Sequence, residues 1–140
     1  MNRALSVCCT GVLIVSLASA CAEIFGPRYD SILGQIDLTF QPIAIPDTVS
    51  AKTDFTVSFY TDGGGCTKVG NTTVSMLDGH TAEVRPYDER QVNPSACTTE
   101  LRFLPHSATL QFGQPGTGTV RLISAHNDST ITIARTVVVR

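Results

Sequence analysis

Apolar and polar residues alternate along most of this chain, and the alternation has the two-residue period of β-strands. The clearest case is Asp54 to Thr61, where Phe55, Val57 and Phe59 share one face and Thr56, Ser58 and Tyr60 the other. Ile36, Leu38 and Phe40 alternate in the same way with Asp37 and Thr39, and predict a half-buried strand that Pro42 and Pro46 end. Val74 and Met76 predict another, closed by the hairpin signal Asp78-Gly79. Ala82 and Val84 continue on the return strand, which is expected to stop at Pro86. Residues 87–96 are polar and read as a long loop ended by Cys97. Leu101 and Phe103, Leu110 and Phe112, and Val120 and Leu122 mark three further strands. In the last, from Thr130 to Val139, Arg135 interrupts the row Ile131, Ile133, Val137, Val139. An arginine there predicts a bulge or an edge strand carrying an inward charge. Seven or eight short strands between turn signals predict an all-β sandwich of antiparallel strands.

The first 34 residues break this pattern. An apolar stretch runs from Ala4 to Ala20 behind Arg3 and ends in small residues, Ala18-Ser19-Ala20. That is the layout of a secretory signal, and it is short for a span of ~20 residues. Residues 22–34 have no sustained period, and Gly26-Pro27 breaks helix and strand alike. The expected organisation is therefore a signal peptide over 1–20, a tether over 21–34 and one domain over 35–140.

Leu17-Ala18-Ser19-Ala20-Cys21 resembles the lipobox of bacterial lipoproteins, although Ala18 stands where that pattern prefers Leu. The resemblance implies cleavage before Cys21, lipid on Cys21, and a protein held on the bacterial cell envelope by acyl chains. Ala22, where an Asp would retain the protein, implies the outer membrane if the host has one. Ordinary signal peptidase could use the same bond and release a soluble chain, and an uncleaved anchor is a further reading. Cysteine arithmetic separates them. Of Cys8, Cys9, Cys21, Cys66 and Cys97, the first two leave with the signal. Lipidation of Cys21 then leaves an even pair, whereas simple secretion leaves an odd thiol.

Charge excludes one class of partner. Without Arg3, nine Lys/Arg face twelve Asp/Glu, a net of −3. Nucleic acid and anionic lipid both need clustered positive charge, so neither is expected. Cys66 and Cys97 lie 31 residues apart without a Cys-x-x-Cys, and export favours a structural disulfide between them.

The search for chemistry yields little. His80, His106 and His126 lie far apart at no ligand spacing, so no metal and no cofactor are expected. No Gly-x-Ser-x-Gly elbow exists, and no catalytic residue is assigned. Gly63-Gly64-Gly65 and Gly116-Thr117-Gly118 read as turns, because neither links a strand to a helix. The charged cluster Asp88, Glu89 and Arg90, in the expected long loop, is the candidate partner-binding element.

From Gln35 to Arg140 the chain resembles the immunoglobulin-like sandwich domains of bacterial surface lipoproteins. The resemblance rests on Pro46-Asp47-Thr48-Val49, Phe55-Thr56-Val57-Ser58, and Phe112 with Pro115-Gly116 and Thr119-Val120. The chain departs from antibody domains in having no Trp and in placing its cysteines at strand ends. The resemblance implies a membrane-anchored, non-catalytic interaction or structural module, with an envelope protein or glycan as partner. A small-ligand or metal-binding envelope protein is the alternative, which predicts an apolar pocket between the sheets or convergence of His80, His106 and carboxylates.

Overall fold

The computed structural model describes residues 26–140, which form nine β-strands and no helix. They are β1 (Tyr29–Leu33), β2 (Gln35–Ile36), β3 (Thr48–Val49), β4 (Phe55–Gly63), β5 (Thr67–Met76), β6 (Thr81–Gln91), β7 (Arg102–Leu110), β8 (Gly116–His126) and β9 (Ser129–Val139). Two sheets pack face to face. The smaller has the order β2-β4-β7; the larger runs β1-β6-β8-β9-β3, with β5 on the other edge of β6.

The period-2 rows meet between the sheets. Phe55, Val57 and Phe59 from β4, Ala82 and Val84 from β6, Ala108 and Leu110 from β7, and Val120 and Leu122 from β8 are all buried. Phe112 closes the core at one end, its ring 5.5 Å from that of Phe55. Gly118 makes room for it, because a Cβ there would lie 2.6 Å from the Phe112 ring.

Several expectations need correction. The sheet is mixed, since β6 runs parallel to β8 and β3 parallel to β9. The fold begins before Gln35: Tyr29–Leu33 of the expected tether pairs with Tyr87–Gln91. Residues 87–91 are strand, not loop, because β6 passes through Pro86. The N–H that Pro86 lacks falls on the edge at which β6 exchanges its partner, from β8 over Thr81–Val84 to β1 over Tyr87–Gln91. On that edge the Pro86 carbonyl accepts from Gly34 N–H (3.0 Å), and the Gly34 carbonyl accepts from Ala125 N–H (3.0 Å). On the other edge β5 bulges between Val69 and Thr72, opposite Tyr87. Gly70 in that bulge lies so close to β6 that a Cβ would come 2.5 Å from the Tyr87 carbonyl.

Leu38 and Phe40 do not extend β2. Asp37 turns the chain instead, accepting from the Thr39 hydroxyl (2.7 Å) and from the backbone N–H groups of Thr39 (3.0 Å) and Phe40 (2.6 Å). Arg135 causes no bulge, since β8 and β9 pair in unbroken register. It lies instead on a stretch of β9, residues 129–136, that has no strand beside its outer edge among the described residues.

Cys66 and Cys97 are bonded, which ties the start of β5 to the segment leading into β7. Closing a loop of that size stabilises the fold by roughly 3–4 kcal/mol in the chain-entropy model. Replacing both cysteines by Ser should lower the unfolding free energy by about that amount in denaturant melts, against ~3–5 kcal/mol for Phe59→Ala in the core. A loss under ~1 kcal/mol for the double replacement would show that the bridge does not restrain the unfolded chain as that model requires.

Candidate functional site

The inward rows of four strands bring together polar residues that no motif announces. On β6 the burial alternates through Ala82, Val84 and Pro86 to Asp88. On β7 the inward row is Leu104, His106, Ala108 and Leu110, and on β4 it continues from Phe59 to Thr61. Asp88, His106 and Thr61 therefore point at one another between the sheets. The His106 Nε2 and Asp88 Oδ1 atoms lie 3.0 Å apart, and the Thr61 hydroxyl donates to Asp88 Oδ2 at 2.8 Å. The bulge in β5 turns Thr72 towards the same ring, with Oγ1 at 2.9 Å from His106 Nδ1.

Burial makes this network costly to disturb. Asp88 is 1% and His106 4% exposed. With Asp88 a carboxylate, Nε2 donates to it and Nδ1 is left to accept from the Thr72 hydroxyl, so every side-chain polar group has a partner. The His106 ring stacks near Phe59, centroids 5.8 Å apart. Gly34 packs against the pair: a Cβ there would fall 2.6 Å from Asp88 Oδ2 and 2.7 Å from Thr61 Cγ2.

The order hydroxyl, imidazole, carboxylate is that of an activated nucleophile. Catalysis also needs room for a substrate beside the hydroxyl and donors for a developing oxyanion. Here the imidazole and carboxylate are enclosed by the two sheets, and Thr72 is itself half-buried. What the arrangement does is tie β5 and β6 of one sheet to β4 and β7 of the other.

The expected partner-binding cluster is dispersed. Asp88 points into the core, Glu89 points outward to Lys68 (2.9 Å), and Arg90 is paired across the ladder with Asp30 and Thr67. Lys68 also lies 3.9 Å from the centre of the Tyr29 ring. The misreading came from treating Pro86 as the end of a strand. Of the other predicted site residues, Cys66 and Cys97 are joined as expected, and Cys21 lies outside the described residues. The histidines do not converge. His80 sits at the β5–β6 turn, His106 in the core and His126 at the β8–β9 turn. No group of three or more metal-capable side chains forms among the described residues.

The disulfide braces the end of the sandwich at which the described chain begins. Val92 N–H donates to the Arg28 carbonyl (2.8 Å), Gln91 N–H to the Cys66 carbonyl (2.9 Å), and Gly65 N–H to the Thr98 carbonyl (3.3 Å). Arg28, Gln91, Val92, Asn93 and Ser95 line a shallow, open depression there. Two carboxylates near this end are perturbed in opposite senses. The Thr39 hydroxyl, helped by the N–H groups of Thr39 and Phe40, holds Asp37 below the usual carboxylate range. Burial, reinforced by the charge of Asp37, pushes Asp62 up.

Comparison with protein-family models, curated proteins and solved structures found no match to this chain, so its chemistry rests on the residues themselves.

Two predictions follow from these geometries. Asp88→Ala leaves His106 Nε2–H and the Thr61 hydroxyl buried without their acceptor and should cost ~1–3 kcal/mol for each in denaturant unfolding. Thr72→Val removes one hydrogen bond at a half-buried site and should cost ~1 kcal/mol. Equal, small losses would mean that the network does not hold the sheets together. The carboxylates give opposite pH signatures. The stability due to Asp37 is present above the unfolded carboxyl range and is lost as pH falls through its lowered value. That due to Asp62 is present in acid and is lost as pH rises through its raised value. Asp62→Asn should therefore raise Tm at pH 7 and lose its advantage towards pH 3, whereas Asp37→Asn should lower Tm at pH 7 and matter less in acid.

Proposed function

We propose that this chain is a lipid-anchored envelope lipoprotein whose Ig-like sandwich serves as an interaction module, with no chemistry of its own. The observation that carries the anchor is the pairing of the other cysteines. Cys66 and Cys97 are bonded to each other, so after cleavage Cys21 is the one cysteine left over. A lone thiol at the first mature residue, directly after Ala18-Ser19-Ala20, is what a lipid-bearing cysteine requires.

The term Ig-like describes architecture. The β4–β7 pair faces the β8–β9 pair, as the B–E and F–G pairs face each other in that fold. One departure is specific. The β5–β6 hairpin joins the larger sheet through its second strand, so β6 lies parallel to β8. Fold at this level does not fix a partner. Orientation narrows the surface, however. The end away from residue 26 is formed by the segments 50–54, 77–80 and 112–115, and in a protein held at Cys21 these face outward. They replace Asp88, Glu89 and Arg90 as the surface offered to an envelope protein or glycan.

Intact mass of the protein from its native host, with and without reduction and thiol alkylation, tests this reading. The expected product starts at Cys21, is heavier by diacylglycerol or more, and takes alkyl groups on Cys66 and Cys97 only after reduction. An unlipidated chain whose Cys21 alkylates without reduction would overturn the anchor and make it a released protein with a free thiol.

A further inference from the structure

The braced end carries a cluster of apolar side chains that the sandwich leaves uncovered. Leu38 is 53%, Phe40 50% and Leu101 65% exposed. The cluster is ordered. Phe40 stacks on Phe103 with centroids 4.0 Å apart and planes within 4°, and meets the Tyr60 ring edge-on at 5.6 Å. The Asp37 turn fixes Leu38 and Phe40 in this place. Tyr60 and Phe103 belong to the outward rows of β4 and β7, so the cluster lies on the outer face of the smaller sheet. Its position along the strands is set by the register. Phe103 is opposite Asp62 and Arg102 opposite Gly63, the end of β4 that leads to Cys66.

That is also the end at which the described chain starts. Cys21 stands seven residues before Arg28, whose carbonyl is fixed to Val92. Seven residues reach at most ~25 Å even when fully extended. A lipid on Cys21 therefore holds this end within a short distance of the bilayer, with the apolar cluster beside it. We infer that the Leu38–Phe40–Leu101–Phe103 cluster docks the tethered domain onto the hydrocarbon–headgroup boundary of the membrane that holds Cys21. The inference rests on the lipid-anchor reading above and adds a second, non-covalent contact to it.

Charge selects the surface. Asp37, Asp62 and Glu100 stand near the cluster, and Arg102 lies 3.6 Å from Glu100. The docking surface is thus a zwitterionic bilayer, and anionic lipid weakens the contact. A few half-exposed side chains are too little to bind an untethered domain. A short tether raises their effective concentration into the range where they suffice.

The chain has no Trp, so a single introduced Trp reports its own surroundings. The mature chain, with its disulfide intact and Cys21 coupled to a maleimide lipid in phosphatidylcholine vesicles, would carry Leu101→Trp. A second preparation would carry Leu77→Trp, at the opposite end and 50% exposed. Brominated phosphatidylcholine should quench the first at least twofold more than the second. Adding Phe40→Asp or Leu38→Asp to Leu101→Trp should abolish the difference, with the unfolding midpoint showing that each variant is folded. Equal quenching at both ends overturns the docking, and is also the result expected if the cluster instead binds a protein. The anchor is judged separately. Lipid on native Cys21 with an unquenched Leu101→Trp sinks the docking alone, whereas a native Cys21 without lipid sinks the anchor and the docking with it.

Discussion

A carboxylate enclosed between two sheets must be hydrogen-bonded or it unfolds the domain, and much of this architecture follows from meeting that demand at Asp88. Its two oxygens are met from β7 by His106 and from β4 by Thr61, which are strands of the other sheet. His106 in turn needs a partner for its second nitrogen, and Thr72 reaches it only because β5 bulges. The bulge lies opposite Tyr87, whereas the N–H that Pro86 lacks falls on the other edge of β6, where β8 gives way to β1. Gly34 donates its N–H to the Pro86 carbonyl on that edge and lets the chain cross from the larger sheet to the smaller directly over Asp88 and Thr61. Apolar burial supplies most of the stabilisation, but it is directionless. The Asp88 network adds direction, because it is satisfied in one relative placement of the two sheets.

The strands were legible wherever period and burial coincide. Phe55, Val57 and Phe59 alternate in the sequence and are buried together in the core. Asp78-Gly79 closes the β5–β6 hairpin, and the Asn127-Asp128 pair closes β8–β9, with Asn127 at the positive φ that such turns use. The misreadings share one cause: a local signal was overridden by a non-local partner. Pro86 ends a strand when considered alone, but here two neighbouring strands rearrange around it. Leu38 and Phe40 keep the strand period, yet Asp37 captures the backbone N–H groups of Thr39 and Phe40 and turns the chain. Residues 29–33 are polar enough to look like a tether, and they become a strand because β6 offers them an open edge.

The polar site was hidden for a related reason. Asp88 reads as part of a charged triplet with Glu89 and Arg90, a pattern that suggests a solvated loop. In a strand, adjacent residues point to opposite faces, so the triplet is split between core and solvent. Extending the row Ala82, Val84 through Pro86 would have placed Asp88 inward, and the row Leu104, His106, Ala108 would have placed His106 opposite it. Each row is visible in the sequence. Their meeting is not, since it depends on the pairing of four strands from distant parts of the chain.

The proposed tether would also change what the β5 and β9 edges must withstand. Copies held on one membrane would be confined to a thin layer, which raises the chance that an unpaired edge meets another. The β5 edge has two guards: Lys68, and a bulge that breaks the regular ladder. The β9 edge has less. Residues 129–134, Ser-Thr-Ile-Thr-Ile-Ala, are uncharged and β-prone, and only Arg135 follows them before β3 covers the strand at Val138. An antiparallel contact between two such edges reverses one copy relative to the other. Two copies anchored in the same bilayer through the same end, with strands rising from it, cannot meet that way. On the lipid-anchor proposal, the anchor would therefore supply a protection that the β9 sequence lacks, and the edge would be at risk chiefly in a chain without lipid.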